Sequence, residues 1–243
     1  MSRRDALKGI VTGSAAILAA AAGGSSLLAQ AGDAPKTEPP RPSAKYEVKP
    51  LRFDPAKLSG ISEKLIVSHH DNNYAAAVKN LNATEAQLAQ VNKDTPGFVV
   101  GGIKMHELMY SNSIILHEHY FDNLGGNGKI TPKVEKALSE AFAGSWEQQF
   151  RQAGASLGGG SGWMILYYNL HSGQLRNYWS NNHTLALGFG VPLLVMDMYE
   201  HAYQMDYGAA HAKYIDAFFT NVNWEEVEKR YDKALALAKA LKG

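Results

Sequence analysis

The hydrophobic pattern of this chain changes partway along its length, and that change sets the fold class. Between residues 62 and 90 there is no Pro or Gly, Ala is frequent, and apolar residues recur at three- and four-residue spacing. This spacing predicts one long helix or a broken pair of helices. A second helix is predicted from about Lys104 to Leu124, where Gly125-Gly126-Asn127-Gly128 stops it. Together these helices are expected to form a long hairpin.

Beyond residue 125 the sequence predicts short helices and then strands. Two strand-like segments flank His171-Ser172-Gly173-Gln174, whose turn-forming residues indicate a β-hairpin. The expected elements are helices starting at Thr131-Pro132 and spanning 145–153, strands at 163–168, 175–179 and 191–196, and helices at about 211–220 and 224–241. The predicted class is therefore α+β, with an N-terminal long helical hairpin followed by a small antiparallel three-stranded sheet with helices.

The N-terminus has the composition of a targeting segment. Arg3 and Arg4 precede an apolar run over residues 9–31, which ends in the small-x-small sequence Ala29-Gln30-Ala31. This pattern predicts a twin-arginine-like export signal over residues 1–31, cleaved near Ala31, and a periplasmic or otherwise exported protein. The alternative is a membrane-spanning helix, but Gly23-Gly24-Ser25-Ser26 interrupts the apolar run. We therefore expect no membrane association once the signal is removed.

Composition also suggests where the domains begin and end. Residues 32–50 are rich in proline, which predicts an extended linker. A boundary near Gly125 then divides the folded part into a helical hairpin domain, 51–125, and an α/β C-terminal domain, 126–243.

Charge and cysteine content exclude several classes of function. The chain has 24 Lys plus Arg and 23 Asp plus Glu, so no cationic excess is available to neutralise a nucleic-acid backbone. Cysteine is absent, which excludes disulfides, thiolate metal sites and a Cys nucleophile. The nine histidines are therefore the main supply of metal ligands.

The placement of histidine and aspartate predicts a metal site. Asp197 follows the predicted strand 191–196 and His201 comes four residues later, so both can converge where the chain leaves the sheet. Alone, such a pair is more often a buried Asp held by backbone donors beside a core His. His69 and His117 lie in the two hairpin helices, which can bring one imidazole each into the same core. Three imidazoles and one carboxylate suit iron or manganese with an open coordination position.

The motif around Asp197 carries a resemblance to a known family. Asp197-Met198-Tyr199-Glu200-His201-Ala202-Tyr203 resembles the Asp-x-Trp-Glu-His-Ala-Tyr signature of the iron/manganese superoxide dismutases, with Tyr199 in the Trp place. Over about residues 51–241, three other motifs agree in order: Asn80-Leu81-Asn82 after His69, Gly160-Ser161-Gly162-Trp163, and Asn221-Val222-Asn223-Trp224. The resemblance implies that superoxide disproportionates to hydrogen peroxide and dioxygen at one iron or manganese ion per subunit. The implied metal ligands are His69, His117, Asp197 and His201.

The same resemblance implies roles for residues around the metal. A Gln of the family usually donates a hydrogen bond to the solvent at the metal, and its two places correspond to Ser113 and His183. His183 is the expected donor, and a solvent-exposed turn histidine is the alternative. Trp163 retains part of the aromatic cage that the family has around the metal. Tyr199 replaces a Trp of that cage with another aromatic residue, which is a smaller change than the loss of a ring.

The chain departs from the family at the expected substrate gate. The positions of the family's gateway Tyr and gateway His correspond to Ala77 and Asn73, so the path of substrate to the metal is expected to widen. Tyr74 is the candidate to supply a hydroxyl there, with simple packing as the alternative. Ile115 replaces a Trp, which predicts a thinner cage and a wetter pocket. These departures keep two alternatives open: a metal-binding relative with weak or altered redox activity, and a structural protein without metal.

The resemblance also implies a homodimer. In the family the residues at Glu200 and Tyr203 act across a subunit contact, and both are present here. The alternative is that Glu200 is a surface residue without a partner. The histidines outside these motifs, among them His70, are expected to be solvated or to cap helices.

Overall fold

The computed structural model describes residues 45–185 and 188–241. The predicted export signal and most of the predicted linker lie outside the described residues. The elements are α1 (Glu63–Ser68), a π-helical turn (His69–Tyr74), α2 (Ala75–Leu88), α3 (Gly97–Asp122), α4 (Pro132–Phe142), α5 (Trp146–Ala155), β1 (Trp163–Asn169), β2 (Gln174–Ser180), β3 (Gly190–Asp197), a 3-10 turn (Glu200–Ala202), α6 (Gln204–Tyr207), α7 (His211–Thr220) and α8 (Trp224–Ala240). The predicted α+β class is confirmed.

The first arm of the hairpin is continuous but not uniformly α-helical. Ser62 caps its start, because the side-chain oxygen accepts from the backbone N–H of Leu65 at 3.1 Å. Between α1 and α2 the chain widens into the π-helical turn, a feature that is rare and often found at functional sites. The second arm, α3, begins at Gly97 and not at Lys104 as predicted. Gly101 and Gly102 have low intrinsic helix propensity, which explains why the sequence pattern places the start too late.

The sheet places Asp197 beside the central strand. Its order is β2-β1-β3 with both pairs antiparallel, and Trp163 at the start of β1 pairs with Asp197 at the end of β3. Residues 163–166 of β1 are buried, as are residues 193–197 of β3. The end of β3 therefore brings a carboxylate into the core next to the Trp163 indole.

A buried amide holds the hairpin against the sheet. Asn123, directly after α3, is completely buried; its Oδ1 accepts from Val195 N–H at 2.9 Å and its Nδ2 donates to the Leu193 carbonyl at 3.2 Å. Arg230 of α8 donates to the same Oδ1 at 3.2 Å. These bonds fix the end of α3 relative to β3, and hence the helix that carries His117 relative to the strand that carries Asp197. The predicted domain boundary near Gly125 stays a prediction.

Among the described residues, no helix combines the length and the apolar character needed to cross a membrane.

Candidate metal centre

Four side chains from four elements converge in the core. His69 begins the π-helical turn, His117 lies in α3, Asp197 ends β3 and His201 lies in the following 3-10 turn. One ligand atom from each lies within 4.8 Å of the others. The Nε2 atoms of His69, His117 and His201 lie 3.1, 3.6 and 3.2 Å from Asp197 Oδ2. The structure thus brings together the whole set that the sequence predicted.

The donor atoms of this cluster lack other partners. Asp197 is fully buried, and His69 and His117 are each 1% exposed. Among the described residues, three buried nitrogens have no hydrogen-bond partner: Nδ1 and Nε2 of His69, and Nε2 of His117. Leaving such buried nitrogens unpaired costs free energy, so their convergence fits a bound cation. His117 Nδ1 donates to the Ser113 carbonyl at 2.7 Å, which leaves the Nε2 lone pair facing the cluster.

The cluster is electrostatically prepared for a cation. Burial alone would raise the pKa of Asp197, but the neighbouring imidazoles of His201 and His69 outweigh burial and hold that pKa well below its usual range. Burial lowers the pKa of His69 and lowers that of His117 to about 3. Near neutral pH the carboxylate is therefore ionised and these two imidazoles are neutral, the states in which all three can bind a metal.

Three imidazole nitrogens and one carboxylate oxygen form a hard to intermediate donor set without sulfur. Such a set suits a first-row transition metal of the iron or manganese type, whereas thiolates would favour zinc or copper(I). The fold and the cluster therefore define a mononuclear metalloprotein whose ligands come from a helical hairpin and from the exit of a sheet.

A second group of rings surrounds the cluster. Trp163 Nε1 donates to His183 Nδ1 at 3.0 Å, and the His183 ring stacks on Tyr199 with a centroid distance of 4.6 Å. The Trp163 ring packs edge-on against His117 with a centroid distance of 5.0 Å, and the Tyr199 ring stacks on His201 with a centroid distance of 5.4 Å. Because His183 Nδ1 accepts a hydrogen bond, the proton of its neutral ring lies on Nε2. The backbone of His183 is held by α3, since Asn112 Nδ2 donates to its carbonyl at 2.6 Å.

Tyr74 lies beside this group, but its hydroxyl has other partners. It is 1% exposed, accepts from Lys49 N–H at 3.0 Å and donates to Glu118 Oε1 at 2.9 Å. Burial raises its pKa to about 12. Neither bond reaches one of the four predicted ligands, so a role for this hydroxyl at the substrate gate stays a prediction.

The surroundings of the metal differ from expectation at one residue, Ile115. Ala77 is 5% exposed and packs in the core, and the expected widening of substrate access at this position stays a prediction. Ile115 is 48% exposed, because a residue two before His117 points to a different side of the helix. It therefore does not line the cage. Asn73 is half-buried, and Ser113 is buried with its Oγ 3.2 Å from His117 Nδ1.

The expected contact of Tyr203 with a partner subunit stays a prediction. Tyr203 is 1% exposed within its own chain, and its hydroxyl accepts from Gly159 N–H at 2.9 Å. The side chain is therefore enclosed within its own chain. Glu200, by contrast, is exposed.

Sequence reasoning missed three residues next to the site. His70 was expected to be solvated but is 8% exposed, with bonds of 2.7 Å to the Lys49 carbonyl and to Asp71. Lys49 and Glu118 form an ion pair beside Tyr74. The available signal was adjacency, since His70 follows His69 and Glu118 follows His117.

Comparisons with known proteins agree with this centre. Residues 130–230 match the family described as iron/manganese superoxide dismutases, C-terminal domain. The chain is 47% identical to an iron superoxide dismutase of Cupriavidus metallidurans over 193 residues, covering 78% of this chain and 98% of that protein. It is 34% identical to a manganese superoxide dismutase of Haloferax volcanii, covering 79% and 98%, and 33% identical to an iron superoxide dismutase of Aquifex aeolicus, covering 77% and 92%. The chain belongs to the iron/manganese superoxide dismutase family.

Proposed function

We propose that this protein disproportionates superoxide to hydrogen peroxide and dioxygen, using one iron or manganese ion per subunit held by His69, His117, Asp197 and His201. The observation that carries the proposal is the convergence of these four donors, with buried nitrogens that lack other partners. It occurs in a chain 47% identical to a curated iron superoxide dismutase. When bound, the ion supplies the one-electron oxidation and reduction that the reaction needs.

The chain's own contribution is to hold protons and to orient hydrogen bonds near the ion. His183 carries its proton on Nε2, because Trp163 occupies Nδ1. We infer that His183 donates from Nε2 to solvent at the metal. Stacking on Tyr199 restricts the orientation of the His183 ring. The fully buried Trp163 excludes water from the Nδ1 side of that ring.

A second candidate is a metal-binding relative with weak or altered redox activity. It is favoured by Ala77 and Asn73, where the family has a Tyr and a His. Metal analysis of the purified protein, combined with a superoxide-decay assay, separates the two. Stoichiometric metal with fast decay supports the dismutase, and a fully loaded but inactive protein supports the relative. Absence of metal under metal-replete expression would contradict both.

We also propose a homodimer in which Glu200 contacts the partner subunit. Glu200 is exposed next to His201, whose side chain is 26% exposed at the surface. Exposed apolar residues, Val67 of α1 and Met205 of α6, lie on the two helices that contact this turn. Sedimentation velocity is expected to show a dimer for the wild type and a monomer for Glu200→Lys. Exposed Glu140 provides the control, since Glu140→Lys should remain dimeric; a dimeric Glu200→Lys would place the interface elsewhere.

We further propose that the protein is exported by the twin-arginine route and cleaved near Ala31. The support is Arg3-Arg4 ahead of an apolar run that ends in a small-x-small site. Replacing both arginines with lysine is expected to stop export and to leave folded, metal-loaded protein with its signal in the cytoplasm. Fractionation followed by intact-mass measurement would check this. Processed protein in the exported fraction of the double variant would point to a different route.

A further inference from the structure

A short extended segment is fixed along the hairpin beside the metal centre. This segment, residues 45–50, has no regular secondary structure and is called the strap here. Its upstream end is fixed by Asn82 of α2, which accepts from Tyr46 N–H and donates to the Tyr46 carbonyl, both at 2.9 Å. The strap is therefore anchored to the hairpin despite its lack of secondary structure.

Within the strap, Lys49 uses every polar group it has. Its backbone N–H donates to the Tyr74 hydroxyl at 3.0 Å, and its carbonyl accepts from His70 Nε2 at 2.7 Å. Its ammonium pairs with Glu118 Oε2. The network closes on itself, because the Tyr74 hydroxyl donates to the other oxygen of Glu118 at 2.9 Å.

The partners of Lys49 lie in two of the four ligand-bearing elements, the π-helical turn and α3. His70 directly follows His69, and Tyr74 ends the π-helical turn that His69 begins. Glu118 directly follows His117 in α3. His70 and Tyr74 are buried, so the two backbone bonds of Lys49 are shielded from water. The ion pair is less shielded, because the Lys49 side chain is 66% exposed and the Glu118 side chain 21% exposed.

We propose that Lys49 is a positioning residue for the metal centre. It ties the π-helical turn to α3 and so holds His69 and His117 in the relative register at which their Nε2 atoms converge. A π-helical turn is rare and occurs mostly as a single turn within an α-helix, and Lys49 restrains this one from outside the hairpin through His70 and Tyr74. The inference rests on the proposed metal site, but its first test does not depend on turnover.

The test compares Lys49→Met with Lys49→Arg and with Lys93→Met. Lys93 is the matched control, because its exposed ammonium also pairs with a carboxylate, that of Asp94 at 3.0 Å, but Asp94 is 78% exposed and does not adjoin a predicted metal ligand in the sequence. Manganese- or iron-loaded proteins are challenged with excess chelator, and their EPR spectra are recorded. Lys49→Met removes only the ammonium that pairs with Glu118 and keeps both backbone bonds. We expect this variant to release metal about two- to threefold faster than wild type and to alter the spectrum of the bound ion. Lys49→Arg should restore both, and Lys93→Met should change neither.

A second variant tests the hydroxyl that joins the network. Tyr74→Phe removes the acceptor for Lys49 N–H and the donor to Glu118 together, so it should reproduce the faster release and the altered spectrum. Thermal unfolding of the metal-free proteins separates positioning from general stability. Unchanged release and spectra in both variants would overturn the inference, as would faster release with an unaltered spectrum and a proportionate loss of metal-free stability. A metal-loaded wild type without dismutase activity would refute the proposed function but leave this test intact.

Discussion

Replacing Asp197 with alanine is expected to abolish stoichiometric metal binding. Its Oδ2 lies within 3.1 to 3.6 Å of three imidazole nitrogens, and Asp197 is the only carboxylate in the cluster found among the described residues. Without it, a divalent or trivalent ion would enter a buried site with no anionic ligand, where uncompensated charge is strongly disfavoured. Elemental analysis after dialysis against metal-free buffer measures the result.

Two further variants make this prediction specific. Asp197→Asn keeps the side-chain volume and an oxygen able to accept from Tyr199 N–H, as Oδ1 now does at 2.8 Å, so it should fold and still bind metal far more weakly. Exposed Asp94 is the control, and Asp94→Ala should keep full occupancy. His69→Ala, His117→Ala and His201→Ala are each expected to lose stoichiometric binding as well. Full occupancy in any folded variant would remove that residue from the ligand set.

Local patterns were sufficient to predict most of the fold. Apolar spacing predicted the two arms of the hairpin, and Thr131-Pro132 predicted the start of α4, which runs from Pro132 to Phe142. The turn residues 171–174 predicted the β1–β2 connection. The π-helical turn was not predictable in this way, because its five-residue hydrogen-bond spacing leaves no mark in hydrophobic periodicity.

The candidate site was predictable where family motifs cover it and not elsewhere. Asp197 and His201 stand four residues apart in one motif, whereas the meeting of His69 and His117 with them depends on long-range packing through Asn123 and β3. Lys49 has no motif, and its importance arises only from contacts with residues distant in sequence. Tyr203 lies in a motif, but a motif position does not show which way a side chain points, and the structure encloses this one within its own chain.

Replacing His183 with alanine is expected to slow superoxide decay more than tenfold at unchanged metal content. The Nε2 proton of His183 is available because Trp163 fixes the opposite nitrogen as an acceptor. Losing this donor should also shift the reduction potential of the bound ion, since hydrogen bonds around a metal tune the relative stability of its oxidation states. A tenfold slower rate corresponds to about 1.4 kcal/mol in the activation free energy. Superoxide decay after pulse radiolysis and a redox titration of the bound ion measure the two effects.

Three further variants test whether the effect of His183→Ala arises from the loss of its Nε2 donor. His183→Gln retains an amide donor and should recover part of the rate, whereas His171→Ala removes an exposed turn histidine and should have no effect. Trp163→Phe removes the Nε1 donor and frees His183 to move its proton to Nδ1, so it should act in the same direction as His183→Ala. Combining the two changes should then cost less than the sum of the single effects, because both act through one donor. Decay that is unchanged in His183→Ala would show that another group donates to solvent at the metal.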